Sequence, residues 1–181
     1  AGDFLKEAKN SGKPFCLSIS FKAPHLPFTP DRAFDDVYAK TVFRKPDNYG
    51  VKNAAHFAPQ ATMGRQFTGY RFWVDDYQES IQKYNQLIHG VDVAIGMIRQ
   101  SLKEQGLADN TIIIFTSDNG YSCGAHGLGG KVLPYEEASR SPLIIVDPRL
   151  PEKNRGQERD FVTGNIDMAP TILEFAGLSV P

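Results

Sequence analysis

The sequence predicts an α/β fold in which a largely parallel, mixed sheet is flanked by helices. Two short runs of branched apolar residues, Thr111–Phe115 and Leu143–Val146, are predicted to be strands buried on both faces, as in parallel sheets. The segment Tyr77–Glu104 has apolar residues at intervals of three and four, the spacing of one helical face. The order of helix, strand, helix and strand along the chain is typical of α/β proteins.

Two elements are predicted before the long helix. Phe4–Lys9 has the character of a helix end, closed by the turn formers of Asn10–Gly12. Phe15–Phe21 is predicted to be the first strand, with Cys16 as a small buried hydrophobic residue within it.

Residues 22–76 form an irregular loop region in this prediction, because prolines interrupt them repeatedly and no periodicity appears. Their aromatic content argues against simple disorder. Two interpretations stay open: a hydrophobic lid packed on the core, or a rim on which sugars stack. The aromatic residues concerned are Tyr38, Tyr49, Phe57, Phe67, Tyr70, Phe72 and Trp73.

The second half of the chain carries clear boundary signals. Gly106 follows the long helix in the place where helices commonly end. Tyr135–Ser139 is predicted to be a short helix. Asp167 is predicted to be the N-cap of a helix over Met168–Phe175, which Gly177 closes.

Composition indicates a single globular domain. The chain has 181 residues and a formal net charge of −1, so no global field favours nucleic acid or an anionic membrane surface. No run approaches the roughly 18 apolar residues that a membrane span needs. Two cysteines more than a hundred residues apart do not form a disulfide framework. We therefore expect neither a nucleic-acid partner nor a membrane span.

Polar residues follow the strand Thr111–Phe115 directly, where open α/β sheets build their sites. With Gly120 allowing the chain to turn, the side-chain oxygens of Asp118 and Asn119 can converge on one hard cation. The alternative is an Asx turn that caps a strand. Because His126 and Lys131 follow in a glycine-rich loop, the motif becomes a candidate anion site beside a metal.

Six sequence blocks in one order resemble the sulfatase family, within the alkaline-phosphatase-like superfamily. They cover most of the chain and match the later part of a sulfatase catalytic domain. The resemblance implies that residues 1–181 are a partial catalytic domain, with 22–76 on the substrate side. The blocks are Pro14–Phe28, Ile88–Ile98, Ala108–Gly120, Gly124–Lys131, Tyr135–Pro148 and Ile166–Gly177.

The nucleophile motif of that family is absent from this sequence. Sulfatases carry an early acidic pair and a Cys-x-Pro/Ala-x-Arg motif whose cysteine becomes formylglycine. Here Cys16 is followed by Leu-Ser-Ile and Cys123 by Gly-Ala-His, so neither fits. The resemblance therefore implies a formylglycine nucleophile outside this chain, and we expect the chain alone to be inactive.

The resemblance also assigns roles to individual residues. Asp118 and Asn119 match the family's second pair of metal ligands, with Ca²⁺ or Mg²⁺ as the expected cofactor. Lys131 matches the lysine that contacts the sulfate. His25 matches the histidine near the leaving-group oxygen, where it serves as general acid, so His25 and Lys131 are the expected catalytic and substrate-binding residues. His126 either lines the pocket or fixes the loop.

The neighbouring acidic residues are left out of the catalytic set. Glu136 and Arg140 have the i,i+4 spacing of a helical ion pair, which stabilises an exposed helix by only about 0.2–0.5 kcal/mol. Glu137 belongs to the same block. Sulfatases have a comparable Glu/Arg block whose role is mainly architectural.

The expected function is hydrolysis of sulfate esters, with a sulfated small molecule or carbohydrate as substrate. Two alternatives stay open: a related metal-dependent phosphodiesterase or phosphonate hydrolase, and a non-catalytic anion-binding fragment. Asn119 weighs against a two-zinc phosphatase site, because an amide is a poor zinc ligand. A sulfatase sheet cut to this segment would lose strands that pair with the remaining ones and expose an edge, through which we expect self-association. The family suggests a secreted or periplasmic location.

Overall fold

A computed structural model describes residues 1–58, 76–131 and 133–180 of the chain. The chain divides into two compact units, Ala1–Pro148 and Arg149–Pro181, and each is described by itself. Among the helices in the described ranges, none is both long and apolar enough to cross a membrane.

The first helix, α1, covers Gly2–Ser11 and is longer than the predicted Phe4–Lys9. It ends at Gly12, whose φ of 62° lies in the left-handed region that favours glycine. Leu5 is its buried residue, with 1% of its surface exposed. The prediction of a helix that ends before Gly12 is confirmed, and the helix extends two residues beyond the predicted segment at each end.

The long helix, α2, covers Tyr77–Glu104, as predicted. The Asp76 carboxylate accepts a hydrogen bond from the backbone N–H of Glu79 at 2.9 Å, which satisfies one of the free donors at the helix start. Gly106, with φ 65°, follows its C-terminal end. Because the apolar face and the terminal glycine are local features, the sequence was sufficient to predict this helix.

The described sheet contains two strands, β1 at Ile113–Thr116 and β2 at Leu143–Val146. They pair antiparallel, with Ile113 opposite Val146, so the described residues contain no parallel pair. The prediction that both strands are buried on both faces is wrong: β1 is at most half-buried, and all four residues of β2 are exposed, Ile144 to 55%. A run of branched residues favours extended backbone, but it fixes neither strand direction nor what covers the sheet.

The predicted first strand at Phe15–Phe21 is not a strand, since no helix or strand is assigned to it. A strand requires a hydrogen-bonding neighbour, and the described residues pair none with this segment. Cys16 is consequently exposed, which corrects the expectation that it is buried. Cys123 has the more protected thiol, and burial raises the pKa of that thiol to about 12.

The irregular region is described over residues 22–58, where it contains two short 3₁₀ turns, Arg32–Phe34 and Val51–Ala54. Gln86 of α2 anchors the first turn, because its side-chain amide donates to the carbonyl oxygens of Phe34 and Val37 at 2.9 and 3.0 Å. Four aromatic residues of the predicted lid or rim lie outside the described residues: Phe67, Tyr70, Phe72 and Trp73.

A hydrophobic core joins the irregular region to α2. Its buried members are Phe28, Tyr77 and Ile81. Partly buried residues pack around them, including two from the loop after β1, so the core lies directly beneath that loop. These packed residues are Leu26, Phe43, Tyr49, Tyr84, Leu87, Tyr121 and Cys123.

Two short helices complete the described structure. In the first unit, α3 covers Glu136–Ser139, as predicted. In the second unit, α4 covers Met168–Phe175, as predicted, and Gly177 follows it with φ 70°. Asp167 occupies the N-cap position, but its carboxylate accepts from the backbone N–H of Gly164 at 2.8 Å rather than capping α4.

Candidate active site

The loop that follows β1 closes on itself. The backbone N–H of Ser122 donates to the carbonyl of Gly130 at 2.9 Å, and that of Gly124 donates to Leu128 at 2.8 Å. These bonds bring together the two ends of the loop, Ser122 and Gly130, which are eight residues apart in sequence. The residues that flank this closed loop are therefore positioned to share one site.

Asp118, Asn119 and Lys131 meet where the loop closes. The Lys131 ammonium nitrogen lies 2.8 Å from Oδ1 of Asn119 and 3.6 Å from Oδ2 of Asp118. The Lys131 side chain is 31% exposed and that of Asp118 is 81% exposed, so the group is open to solvent. The structure thus brings three of the residues proposed from sequence into one constellation.

Local hydrogen bonds orient the Asn119 amide. Its Nδ2 donates to the carbonyl of Gly120 at 2.7 Å, which leaves Oδ1 directed at Lys131. Ser117 supports the same turn, since its hydroxyl donates to the Asn119 carbonyl at 2.9 Å. Neither bond is an Asx turn, in which a side-chain oxygen accepts from the backbone N–H two residues on, and the Gly120 N–H donates to Ala138 instead.

The donor set suits a hard cation. Carboxylate and amide oxygens are ligands that Ca²⁺ and Mg²⁺ prefer, and both converge here on a positive charge, the Lys131 ammonium. Two residues supply only part of the roughly 6–8 oxygens that Ca²⁺ takes. Within the described ranges, no three His, Cys, Asp or Glu side chains group closely enough to hold a metal ion. Asp118 and Asn119 therefore fit as one part of a cation site.

Gly120 lets α3 pack against this site. Its backbone N–H donates to the Ala138 carbonyl at 2.8 Å. A Cβ atom at this position would lie 2.2 Å from the Glu137 carbonyl oxygen, far inside normal contact. The absence of a side chain at Gly120 is thus required for α3 to reach the residue next to Asn119.

His25 lies in a separate turn. Its backbone N–H donates to the Lys22 carbonyl, and its Nδ1 lies 2.9 Å from the Leu26 carbonyl oxygen. The same segment carries Phe28, whose ring centroid is 6.3 Å from that of Tyr121 in the site loop. Among the residues that the structure describes, no hydrogen bond joins His25 to Lys131, so the constellation does not include it.

His126 belongs to a second polar cluster with Asn48 and Glu137. The Asn48 amide nitrogen lies 2.9 Å from Nε2 of His126 and 2.8 Å from Oε1 of Glu137. The backbone N–H of His126 also donates to the Asn48 carbonyl at 2.9 Å. Burial raises the pKa of Glu137, but the hydrogen bond from Asn48, a backbone hydrogen bond and His126 outweigh it, and the net pKa is lowered.

Aromatic rings surround the His126 side chain. Its ring centroid lies 4.7 Å from Tyr135, 5.8 Å from His56 and 6.3 Å from Phe57. Tyr135 and His56 are themselves linked, with the tyrosine hydroxyl 3.0 Å from Nε2 of the histidine. Phe57 thus reaches the site loop, as one of the aromatic residues of the irregular region.

Sequence reasoning missed Asn48 and left Glu137 out of the site. Asn48 contacts residues 78 and 89 positions away, so no local pattern points to it. Glu136 and Arg140 do form the predicted ion pair, at 3.0 Å and with both side chains well exposed. The exposed pair faces water while the adjacent Glu137 faces the loop, a difference that spacing alone does not reveal.

Comparisons place the chain among sulfatases. A model of the sulfatase family matches residues 1–178. The chain is 31% identical to an arylsulfatase of Clostridium perfringens, over 99% of this chain and 37% of that protein. It is 41% identical to an N-acetylglucosamine-6-O-sulfatase of Bacteroides thetaiotaomicron, over 97% of this chain and 41% of that protein.

A solved structure shows a similar fold. It is described as a complex with its substrate, D-glucosamine-2-N,6-O-disulfate, and it matches with a TM-score of 0.73 and 26% identity. The match covers 100% of this chain and 49% of the solved one. It supports the predicted alkaline-phosphatase-like α/β fold, while the chain spans about two-fifths of the length of the curated relatives quoted above.

Proposed function

The chain belongs to the sulfatase family, and we propose that the protein containing it hydrolyses sulfate esters with the help of Lys131, Asp118 and Asn119. The observation that carries this proposal is their convergence, in which one ammonium lies 2.8 Å from an amide oxygen and 3.6 Å from a carboxylate oxygen. Such a group can hold a cation and an anion side by side.

Lys131 would bind the sulfuryl oxygens. Its long side chain reaches across a closed glycine-rich loop, and its remaining N–H donors are suited to an oxyanion. The net charge of the chain is −1, so attraction for sulfate must come from local charges such as this one. A positive charge that is already in place before the reaction stabilises the negative charge on the sulfuryl oxygens in the transition state.

Asp118 and Asn119 would hold Ca²⁺ or Mg²⁺ together with ligands from outside the constellation. When bound, the cation polarises a sulfuryl oxygen and helps to orient the nucleophile. Asp118 is well placed to meet an incoming ion because its side chain is 81% exposed. Asn119 is pre-oriented by its own hydrogen bond to the Gly120 carbonyl.

His25 would protonate the leaving-group oxygen. Since a carbonyl oxygen only accepts, the contact with Leu26 places a proton on Nδ1 of His25. Nε2 is then the ring atom through which a protonated imidazole can deliver its second proton to the departing alkoxide. The packing of Phe28 on Tyr121 supports a position for this turn beside the site loop.

The nucleophile would lie outside the residues of this chain. The sequence after Cys16 and after Cys123 does not match the formylglycine motif. Burial also raises the pKa of the Cys123 thiol to about 12, which disfavours the thiolate at neutral pH. A formylglycine in that other part of the protein would supply the attacking oxygen.

The substrate we propose is a sulfated carbohydrate. A relative named for N-acetylglucosamine 6-O-sulfate and a structural neighbour bound to a disulfated glucosamine both support this class. Phe57 and Tyr135 beside His126 offer apolar surface of the kind on which sugar rings stack. The irregular region 22–76, which contributes Phe57, would therefore form the substrate side.

A turnover assay tests the proposal. The isolated chain should show no hydrolysis of an aryl sulfate in the presence of Ca²⁺, while the intact protein containing it should hydrolyse the ester. Lys131→Ala in the intact protein should lower that turnover rate by a factor of at least about 10². Faster cleavage of the matched aryl phosphate than of the sulfate would instead support a phosphoesterase. Turnover by the isolated chain that Lys131→Ala abolishes would disprove an external nucleophile.

A further inference from the structure

The polar cluster of Asn48, His126 and Glu137 determines which ring nitrogen of His126 carries a proton. The Asn48 amide nitrogen is shared, at 2.9 Å from Nε2 of His126 and 2.8 Å from Oε1 of Glu137. The backbone bond from His126 to the Asn48 carbonyl fixes the two residues relative to each other. The side chains of His126 and Glu137 are 21% and 30% exposed, so water competes only in part.

The orientation of the Asn48 amide follows from Glu137. A carboxylate only accepts hydrogen bonds, and the lowered pKa keeps Glu137 ionised at neutral pH. The amide must therefore turn its nitrogen, rather than its oxygen, toward Glu137. That nitrogen has two N–H groups, and the second is directed at His126.

The amide orientation in turn limits His126. Because an amide nitrogen only donates, Nε2 of His126 must accept and carries no proton. In the neutral ring the proton then resides on Nδ1. Nε2 also lies 3.6 Å from Oε1 of Glu137, a contact that would favour a proton on Nε2. The Asn48 amide opposes it at shorter distances, since a proton on Nε2 would require the amide to rotate and set its oxygen against the Glu137 carboxylate.

We propose that Asn48, oriented by Glu137, is a positioning residue that holds neutral His126 in its Nδ1–H tautomer and makes Nδ1–H the ring donor for an oxygen of the sulfated substrate. The substrate part of this proposal rests on the proposed function, whereas the tautomer does not. His126 contributes a hydrogen bond there, and Lys131 contributes the charge. The hydrogen bond from Ser122 to the Gly130 carbonyl closes the loop that carries His126, and Asn119 and Lys131 flank that loop.

Nitrogen NMR of the histidine rings tests the tautomer in the chain as it stands. At a pH of about 8, above the ordinary histidine pKa of about 6.5, the ¹⁵N shifts distinguish a protonated ring nitrogen from an unprotonated one. We expect His126 to favour Nδ1–H by about tenfold or more. Asn48→Asp replaces the donor with an acceptor, and it should shift the population toward Nε2–H.

Two further variants keep the result interpretable. Glu137→Gln removes the charge that orients the amide without adding a carboxylate, so it should give a mixture of tautomers even if Asn48→Asp disturbs the loop. Asn53→Asp is the matched control, because the Asn53 amide donates to the Tyr49 carbonyl at 2.8 Å rather than to the cluster. It should preserve the wild-type tautomer. A wild-type ring with Nε2–H, or one that neither Asn48→Asp nor Glu137→Gln changes, would overturn the proposal.

Kinetics of the intact protein test the substrate contact. Glu137→Gln should raise KM for a sulfated glucosamine by about three- to tenfold and affect kcat less, because misdirecting one donor weakens binding in ground and transition states alike. A loss confined to kcat would overturn the substrate contact of His126. Absence of any sulfate-ester hydrolysis by the wild-type protein would disprove the proposed function, while the tautomer result would still stand.

Discussion

Asn119 accepts a hydrogen bond from the Lys131 ammonium at 2.8 Å, across twelve residues of sequence. The oxygen that receives this bond is the one that a metal ion would need. The same ammonium lies 3.6 Å from the Asp118 carboxylate. In the proposed site, a bound cation and Lys131 would therefore draw on the same oxygens, and their mutual repulsion would link them.

Lys131→Met should tighten Ca²⁺ binding to the intact protein by about tenfold, because it removes a positive competitor from Asn119 and Asp118. Calorimetric titration with Ca²⁺ measures the effect. Lys83→Met is the control, since it removes the same charge from a surface ion pair with Glu79 on α2.

A different outcome would point to a different arrangement. Unchanged or weaker Ca²⁺ binding in Lys131→Met would show that Lys131 does not compete for these oxygens. Asp118→Ala should reduce Ca²⁺ occupancy and turnover together. Full occupancy in that variant would remove Asp118 from the ligand set.

Gly120→Ala should destabilise the protein by about 1–3 kcal/mol, because its Cβ would lie 2.2 Å from the Glu137 carbonyl oxygen and backbone would have to move. Gly130→Ala is the control in the same loop, where nothing lies within 4 Å of the position that the added Cβ atom would take. Its effect should stay within about 0.5 kcal/mol. Denaturant unfolding measures the free energy of unfolding of both variants. Equal losses would mean that α3 does not pack as closely against Gly120 as the structure shows.

Local features explain which parts of the fold were predictable. α2 was predictable because its apolar spacing and Gly106 lie within or beside the segment itself, and the structure adds the Asp76 cap. The run Leu143–Val146 was recognised as a strand, but its antiparallel partner and its exposure depend on residues far away. Phe15–Phe21 has strand composition, yet composition cannot provide a pairing partner.

The site divides in the same way. Asp118, Asn119 and Lys131 could be proposed because two adjacent blocks of the family resemblance contain them, and the structure then shows the loop between them closing. Asn48 was not found, since its contacts with His126 and Glu137 cross 78 and 89 residues. Glu137 looked like part of a surface helix, and only the tertiary approach of Asn48 distinguishes it from Glu136.

Glu137 should stabilise the fold at neutral pH and lose that effect in acid. Its pKa in the folded chain is lowered from the ordinary 4.5, so its contribution is fully present above 4.5 and disappears as pH falls through the lower folded value. Glu137→Gln should thus be less stable than wild type at pH 7, and the difference in melting temperature between the two should narrow below pH 4.5. Thermal unfolding across pH measures this.

Glu136→Gln provides the control for that pH series. It removes a carboxylate from the same helix, but one whose partner Arg140 is 81% exposed at the surface. We expect it to leave the pH dependence of the melting temperature close to that of wild type. If the melting temperatures of Glu137→Gln and wild type differ by the same amount from pH 7 to acid, the ionised Glu137 carboxylate is not what stabilises the fold.

His25→Ala in the intact protein should lower kcat and change KM much less. The loss in kcat should be largest for sulfate esters of poorly acidic alcohols. The reason is that protonation of the departing oxygen matters only as the S–O bond breaks, and a nitrophenolate leaves without it. The measurement is kcat for a series of esters whose leaving groups differ in pKa. In the variant, kcat should fall more steeply as the leaving-group pKa rises. His89→Ala is the control, because that ring, on α2, packs against Phe34 with 5.0 Å between centroids. An equal loss for all leaving groups in His25→Ala would make His25 a positioning residue rather than the general acid.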